Sequence, residues 1–386
     1  VTGHPGVVAR LLWLTTIMAT LALDATYTVD PEPSGIAVYS RKLIEALAGL
    51  ETPHRFLLCY RLSRFGRRRE FLHPATRTGS AKAQFSVRFY QEPLTFWLPW
   101  QADLFHSLAQ RPPAFRFKRE IVTVFDIFPI TGHDYSTAEF RRKFSALLRE
   151  AVARAAFVIT ASRYTAGQLL AHTSLPQNKL RVIPLGVDLP SLSLSANERM
   201  RARAKFVGEG KQLILSVGVI QTRKNTLNAL RALETLPEQY RLILAGGDGH
   251  GSEIVHDYIH RQGLGSRVQV RGYVTPEDLR VLYQCASVML FPSLEEGFGL
   301  PVLEAMANGL PVVASQAASL PEVGGDAALY VDPHDPRDIA EKVRHAAEDA
   351  ELREKMIQQG LARAQEFSWQ RVAEATLQVY NEVLAK

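Results

Sequence analysis

Short apolar runs separated by helix-period segments dominate the chain. Leu21 to Ala25, Phe56 to Tyr60, Ala102 to His106, Ile121 to Asp126 and Phe157 to Ala161 each predict a buried strand. Between them, Ile36, Tyr39, Leu43, Leu47 and Leu50 recur at helical spacing, as do the apolar positions of Thr137 to Ala155 and Ser162 to Leu170. Gln84 to Tyr90 alternates like a strand, and Leu180 to Asp188 reads as a strand and a turn. A polar stretch, Ser195 to Arg203, then interrupts the pattern, which restarts with strand Leu213 to Val217, helix Leu227 to Leu236 and strand Tyr240 to Ala245. Strand Val268 to Val274, helix Leu279 to Cys285, a strand ending at Phe291 and helices over Asp335 to Ala347 and Arg371 to Leu384 complete it. Strands alternating with helices imply parallel sheets, and 386 residues exceed one ordinary core. The expected fold is α/β, with two Rossmann-like doubly wound domains.

Charge divides the chain unevenly. Residues 1–190 hold 24 Lys and Arg against 14 Asp and Glu, a net +10, whereas residues 191–386 hold 21 against 25, a net −4. A basic first half favours an anionic acceptor or an anionic membrane surface. No zinc module, basic zipper or RNA-binding aromatic motif supports nucleic acid as a partner. The cluster RLSRFGRRR at Arg61 to Arg69 and the aromatics Phe96, Trp97 and Trp100 stand out in this half. Cys59 and Cys285 are too far apart in sequence for a framework or metal spacing and read as reduced thiols of a cytosolic protein. Val7 to Leu23 is apolar but short for a span and holds Arg10; residues 1–17 are expected to be an appendage to a domain that begins near Met18.

Candidate chemistry centres on Phe291 to Ser315, FPSLEEGFGLPVLEAMANGLPVVAS. A buried strand leads into a loop with two glycines around Phe298, and Pro301 marks the first turn of a helix that Asn308-Gly309 ends. Glu296 in the loop and Glu304 in the helix are separated by seven residues. Between them lie the backbone amides of Gly297, Phe298, Gly299 and Leu300 at the positive end of the helix, an anion site. The order acceptor, anion site, acceptor is that of a nucleotide-sugar: sugar, diphosphate, ribose. A second motif, Gly218-Val-Ile-Gln-Thr-Arg-Lys-Asn, places Arg223 and Lys224 in a strand-to-helix loop, where two cations can neutralise a diphosphate. Ser34-Gly35 occupies the first strand-to-helix turn, and Asp126 a strand's carboxyl end, both ligand positions in open parallel sheets. AGGDGHGSE at Ala245 is only a near miss to the dinucleotide fingerprint and lacks its later acidic residue.

From Leu21 to Leu384, and most sharply from Leu213 onward, these motifs resemble glycosyltransferase family 4, the retaining glycosyltransferases of GT-B fold. The resemblance implies an acceptor domain over residues 18–190, a nucleotide-sugar domain over 191–366 and a C-terminal helix, 367–386, crossing back to the first domain. It implies Glu304 on the ribose, Glu296 on the transferred sugar, Arg223, Lys224 and the loop amides on the diphosphate, Gly35 and Gly218 in glycine loops, and Tyr273 and Val274 beside the base. Where the family usually has His then Asp, this chain has Phe125-Asp126, so an imidazole is missing while a backbone carbonyl remains. Val219 stands where some relatives carry an Arg. No Asp-x-Asp occurs in the chain, so neither metal nor cofactor is expected, only a nucleotide-sugar donor, GDP-mannose ahead of a UDP-hexose. The expected activity is metal-independent hexosyl transfer to a glycan or lipid-linked acceptor in the cytoplasm, at the cytoplasmic face of an anionic membrane. A sugar-phosphate synthase, a two-domain nicotinamide oxidoreductase and a catalytically silent subunit are the rivals.

Overall fold

A computed structural model describes residues 18–71, 82–190 and 193–386. The expected appendage, residues 1–17, lies outside them. Seven strands form the first sheet: β1 (Thr20–Asp24), β2 (Arg55–Arg61), β3 (Gln84–Tyr90), β4 (Leu104–Ser107), β5 (Glu120–Val124), β6 (Phe157–Thr160) and β7 (Leu180–Val182). Six form the second: β8 (Gln212–Val217), β9 (Tyr240–Ala245), β10 (Val268–Val270), β11 (Val288–Phe291), β12 (Val312–Ser315) and β13 (Ala328–Val331). Every ladder is parallel, in the orders β3-β2-β1-β4-β5-β6-β7 and β10-β9-β8-β11-β12-β13. This is the GT-B arrangement of two Rossmann-like sheets.

Both sheets are buried, and apolar residues dominate their central strands. β1, β4 and β5 carry Leu21, Leu23, Leu104 and Ile121 into one core, while β11 and β12 are buried at all four positions. In each sheet the strand order reverses beside the first strand, between β1 and β4 and between β8 and β11. Loops leaving those strands diverge to opposite faces and open a crevice at the carboxyl edge. The Arg223-Lys224 loop follows β8 and the Glu296 loop follows β11, so chain topology brings the two motifs to one crevice.

Five helices position the site: α1 (Gly35–Ala48), α2 (Arg163–His172), α3 (Pro276–Cys285), α4 (Leu300–Ala307) and α5 (Trp369–Leu384). α5 packs along α1. It is tied to the first sheet by buried Tyr380, whose hydroxyl lies 2.7 Å from His106 Nδ1, and by Asn381, 2.8 Å from His54 Nε2. His106 Nε2 meets Thr123 Oγ1 at 2.9 Å. Burial pushes this imidazole down to about 3, so it is a neutral structural residue.

Three sequence readings need correction. β10 ends at Val270 rather than Val274, because the chain turns out of the sheet at Gly272 with φ 63°. Tyr273 and Val274 therefore precede α3 in a loop. The polar stretch after the first sheet contains a helix, Ala196–Val207, started by a Ser195–Glu198 capping box. Helices Ser252–Arg261 and Ala350–Gln365 also lie where no helix was read.

Candidate active site

Glu296 stands where the carboxyl edges of the two sheets meet. Its Oε2 is 3.0 Å from Arg223 Nη1 and its Oε1 is 2.6 Å from Lys224 Nζ. Oε1 makes no aligned hydrogen bond, so it retains acceptor capacity. Burial pushes this carboxyl up, but the two cations outweigh burial and hold it down at about 2. Burial also pulls the Lys224 ammonium below its usual value, whereas Arg223 is held firmly charged by its acidic neighbours. Each cation rests on an aromatic face, Arg223 4.8 Å from the Phe128 ring centroid and Lys224 4.5 Å from that of Phe291. The Lys224 stem packs against Gly218, where a Cβ would come within 3.3 Å.

Asn225 locks this loop to the sheet. It adopts the left-handed conformation that Asn tolerates, at φ 58°, and its amide donates to Pro292 O at 3.0 Å and Pro333 O at 2.7 Å. Arg223 Nη1 also donates to Glu295 O, and the Arg223 carbonyl accepts from Leu294 N, both at 2.8 Å. The cations and the acidic loop thus form one hydrogen-bonded unit.

The first sheet closes against that unit. Gly297 touches the Phe125-Asp126 loop so closely that a Cβ would lie 1.9 Å from Phe125 O and 2.8 Å from Asp126 Cβ, which only glycine permits. The Phe125 ring meets Tyr39 edge-on at 4.9 Å, so the residue before Asp126 packs against an aromatic ring and offers no polar side chain. Asp126 is pushed up to about 6, first by burial and then by Glu296 and Glu295, against the pull of Arg223. Buried Glu295, which sequence reasoning passed over, accepts from Thr131 Oγ1 at 2.5 Å. Glu322, on the second sheet's side, accepts from the Arg163 amide at 2.9 and 3.0 Å and so caps α2 from across the cleft.

Glu304 lies one turn into α4 and lines a separate cavity of about 330 Å³. Both halves of the molecule line it: Val38 of α1, the Gly186–Pro190 joint and Trp369 on one side, Pro276, Arg280 and Tyr283 of α3 on the other. Tyr283 donates to Glu304 Oε2 at 2.8 Å, and burial raises the Glu304 carboxyl. Leu300 borders the same cavity, and buried Phe298 meets Phe367 edge-on at 6.1 Å. Among the described residues the amides of Gly297, Phe298, Gly299 and Leu300 donate to no protein acceptor. The structure therefore joins Arg223, Lys224, Glu296, Gly297 and Asp126 in one cluster, with Glu304 at the far end of the loop. Gly35 begins α1 one turn before cavity-lining Val38, and a Cβ there would meet nothing within 4 Å. Tyr273 and Val274 lead into α3 without lining the cavity.

Two facing Rossmann-like sheets with an acid–cation cluster in the cleft define a GT-B glycosyltransferase. Residues 33–190 match the model of Glycosyltransferase Family 4, and residues 198–363 that of Glycosyl transferases group 1. O-antigen chain mannosyltransferase B of Escherichia coli is 30% identical over 270 residues, covering 69% of this chain and 71% of that protein. Serotype-specific mannosyltransferase WbdA of E. coli is 28% identical over 269 residues, 67% of this chain but 33% of that longer protein. The crystal structure of Anabaena HepE in complex with UDP-glucose shares the fold, with a TM-score of 0.73 at 18% identity over 94% of this chain and 100% of that one. The chain belongs to glycosyltransferase family 4.

The Asp126 environment has a measurable consequence. With its pKa raised from 3.8 to about 6, the carboxylate charge costs stability above pH 6 and costs nothing below about pH 4, where both folded and unfolded forms are protonated. Asp126→Asn should therefore melt higher than wild type near pH 7.5, with the gap narrowing as pH falls through 6 and closing near pH 4. A pH-independent gap in thermal melts would contradict this electrostatic picture.

Proposed function

We propose that this glycosyltransferase moves a hexose, mannose before glucose, from a nucleotide-sugar to a glycan or lipid-linked acceptor, with retention and without a metal. The observation that carries the reading is the spatial order of Glu296 with its two cations, the unpaired loop amides, and Glu304 in its own cavity. Glu304 would accept from the ribose hydroxyls, and Glu296, through Oε1, from hydroxyls of the transferred sugar. Arg223, Lys224 and the amides would take the diphosphate, exchanging a carboxylate partner for a phosphate one and stabilising charge as it develops on the leaving group. In the transfer the bond from the anomeric carbon to the phosphate oxygen breaks, the acceptor oxygen bonds that carbon on the same face, and its proton passes to the departing phosphate. Asp126, across the cleft, would border the reacting sugar. The names of the two E. coli relatives support mannose as the transferred sugar.

Weak, reversible contact with an anionic membrane is part of the proposal. Leu94, Phe96, Trp97 and Trp100 are 66, 62, 42 and 80% exposed, and Phe96 meets both indoles edge-on. The Arg61–Arg69 cluster is partly neutralised in place: Arg64 lies 2.6 Å from Asp30, Arg67 pairs with Glu70, and Arg68 covers the Phe65 ring. The aromatics would supply interfacial contact and the basic surface about 1 kcal/mol per residue near the bilayer. Among the described residues no helix is long and apolar enough to cross a membrane.

Two experiments test these readings. In calorimetric titrations with GDP and UDP in EDTA, Glu304→Ala should lose about 1.5–3 kcal/mol of binding. Glu296→Ala should keep nucleotide affinity nearly intact and lose turnover; equal losses of affinity in both variants would contradict the division of roles. In co-sedimentation with anionic vesicles, replacing Trp97 and Trp100 by Ala should release the protein, and changing Arg67, Arg68 and Arg69 to Gln should weaken binding. Wild type that ignores such vesicles at low salt would refute the membrane contact.

A further inference from the structure

Three consecutive carbonyls of the loop after β11 are held by two serine hydroxyls, both fully buried. Ser319 Oγ lies 2.8 Å from Glu296 O and 2.9 Å from Phe298 O, so its single proton is shared between them. Ser162 Oγ donates to the intervening carbonyl, Gly297 O, at 2.6 Å. Thr165 Oγ1 supports the same point, 3.2 Å from Gly297 O and 3.1 Å from Phe125 O.

A trans peptide is planar, with its C=O and N–H on opposite sides. Holding the carbonyls of Glu296, Gly297 and Phe298 therefore fixes the directions of the next amides, those of Gly297, Phe298 and Gly299. These N–H groups have no protein acceptor among the described residues, as noted above. Successive N–H groups held this way form an anion-binding concavity. The serines come from different halves of the molecule. Ser319 follows β12, within the second sheet's own side, whereas Ser162 begins α2 beyond β6 of the first sheet.

We propose that Ser162 and Ser319 are positioning residues for the diphosphate of the donor. This rests on the nucleotide-sugar reading of the site. Neither serine touches substrate; each fixes peptide planes whose amides receive the diphosphate. Ser319 sets the first and third amides within one half. Ser162 sets the middle one only when the halves meet, so closing the cleft completes the leaving-group site. A diphosphate on these amides favours closure, and a ligand without the second phosphate draws on the arrangement less.

The alternative is that the hydroxyls only satisfy buried carbonyls. Affinities for a nucleoside diphosphate and for the matching monophosphate separate the two roles, measured by calorimetry on folded protein. The probe is whichever of GDP and UDP wild type binds more tightly, with GMP or UMP as its partner. The variants are Ser319→Ala and Ser162→Gly. Ser162 also caps α2, accepting from Thr165 N at 3.0 Å, and glycine serves almost as well as serine at an N-cap. Each variant should weaken diphosphate binding about five- to tenfold, the weight of one hydrogen bond, and monophosphate binding less than about twofold. Equal weakening of both nucleotides, or of neither, would overturn the proposal while leaving the nucleotide-sugar reading intact. Wild type that binds neither GDP nor UDP would overturn both.

Discussion

A buried carboxylate between two buried cations organises this molecule. Glu296, Arg223 and Lys224 are all taken largely out of water, and each alone would carry a desolvation cost of several kcal/mol. Pairing offsets that cost only while the loops after β8 and β11 hold their positions. The surrounding structure serves this: Asn225 anchors the cationic loop, the Arg223 backbone pairs with Leu294, and the cations lie against Phe128 and Phe291. Such a cluster is poised for partner exchange. An incoming dianion can replace the carboxylate on the cations at little reorganisation, and the carboxylate is then available to sugar hydroxyls.

The same loop, together with Glu322 beyond β12, joins the two halves. Glu295 meets Thr131, the Gly297 carbonyl meets Ser162, and Glu322 caps α2. All three contacts are polar, so they can open and close with less loss than an apolar interface. The apolar connection lies elsewhere, where α5 packs on α1 and Gly186 passes so close to Trp369 that a Cβ would lie 2.4 Å from its backbone nitrogen. A fixed joint at one end and a polar seam at the other suit a cleft that admits a donor and closes over it.

Much of this was legible in the amino-acid order, for physical reasons. Buried parallel strands need unbroken apolar runs, so β1, β5, β9 and β11 were readable to within a residue or two. Pro301 and Asn308-Gly309 bracketed α4 because helix ends have their own chemistry. Glu296, Arg223 and Lys224 were recognisable because two charged motifs recur at equivalent strand ends. Their direct pairing was not, since it depends on β8 and β11 being neighbours. Ser162 and Glu295 escaped notice because a hydroxyl or carboxylate that acts across a cleft leaves no local pattern, and Ser319 because its partner carbonyls, those of Glu296 and Phe298, reach it only in the fold. Helix Ala350–Gln365 was missed because few of its residues are buried, so its apolar stripe is thin. Val268 to Val274 looked like one strand because a β-rich run carries no sign of where its partner ends.

The central claim is that the diphosphate of the donor sits between the cationic loop and the amides after Glu296. A crystal structure with a nucleotide-sugar bound tests it most directly. The account predicts phosphate oxygens within hydrogen-bonding distance of Arg223, Lys224 and the amides of Gly297 to Leu300, with ribose hydroxyls on Glu304 and sugar hydroxyls on Glu296. A diphosphate held instead by the Gly246 to Gly251 loop, or bridged to the protein through a metal ion with Glu296 still paired to both cations, would contradict it.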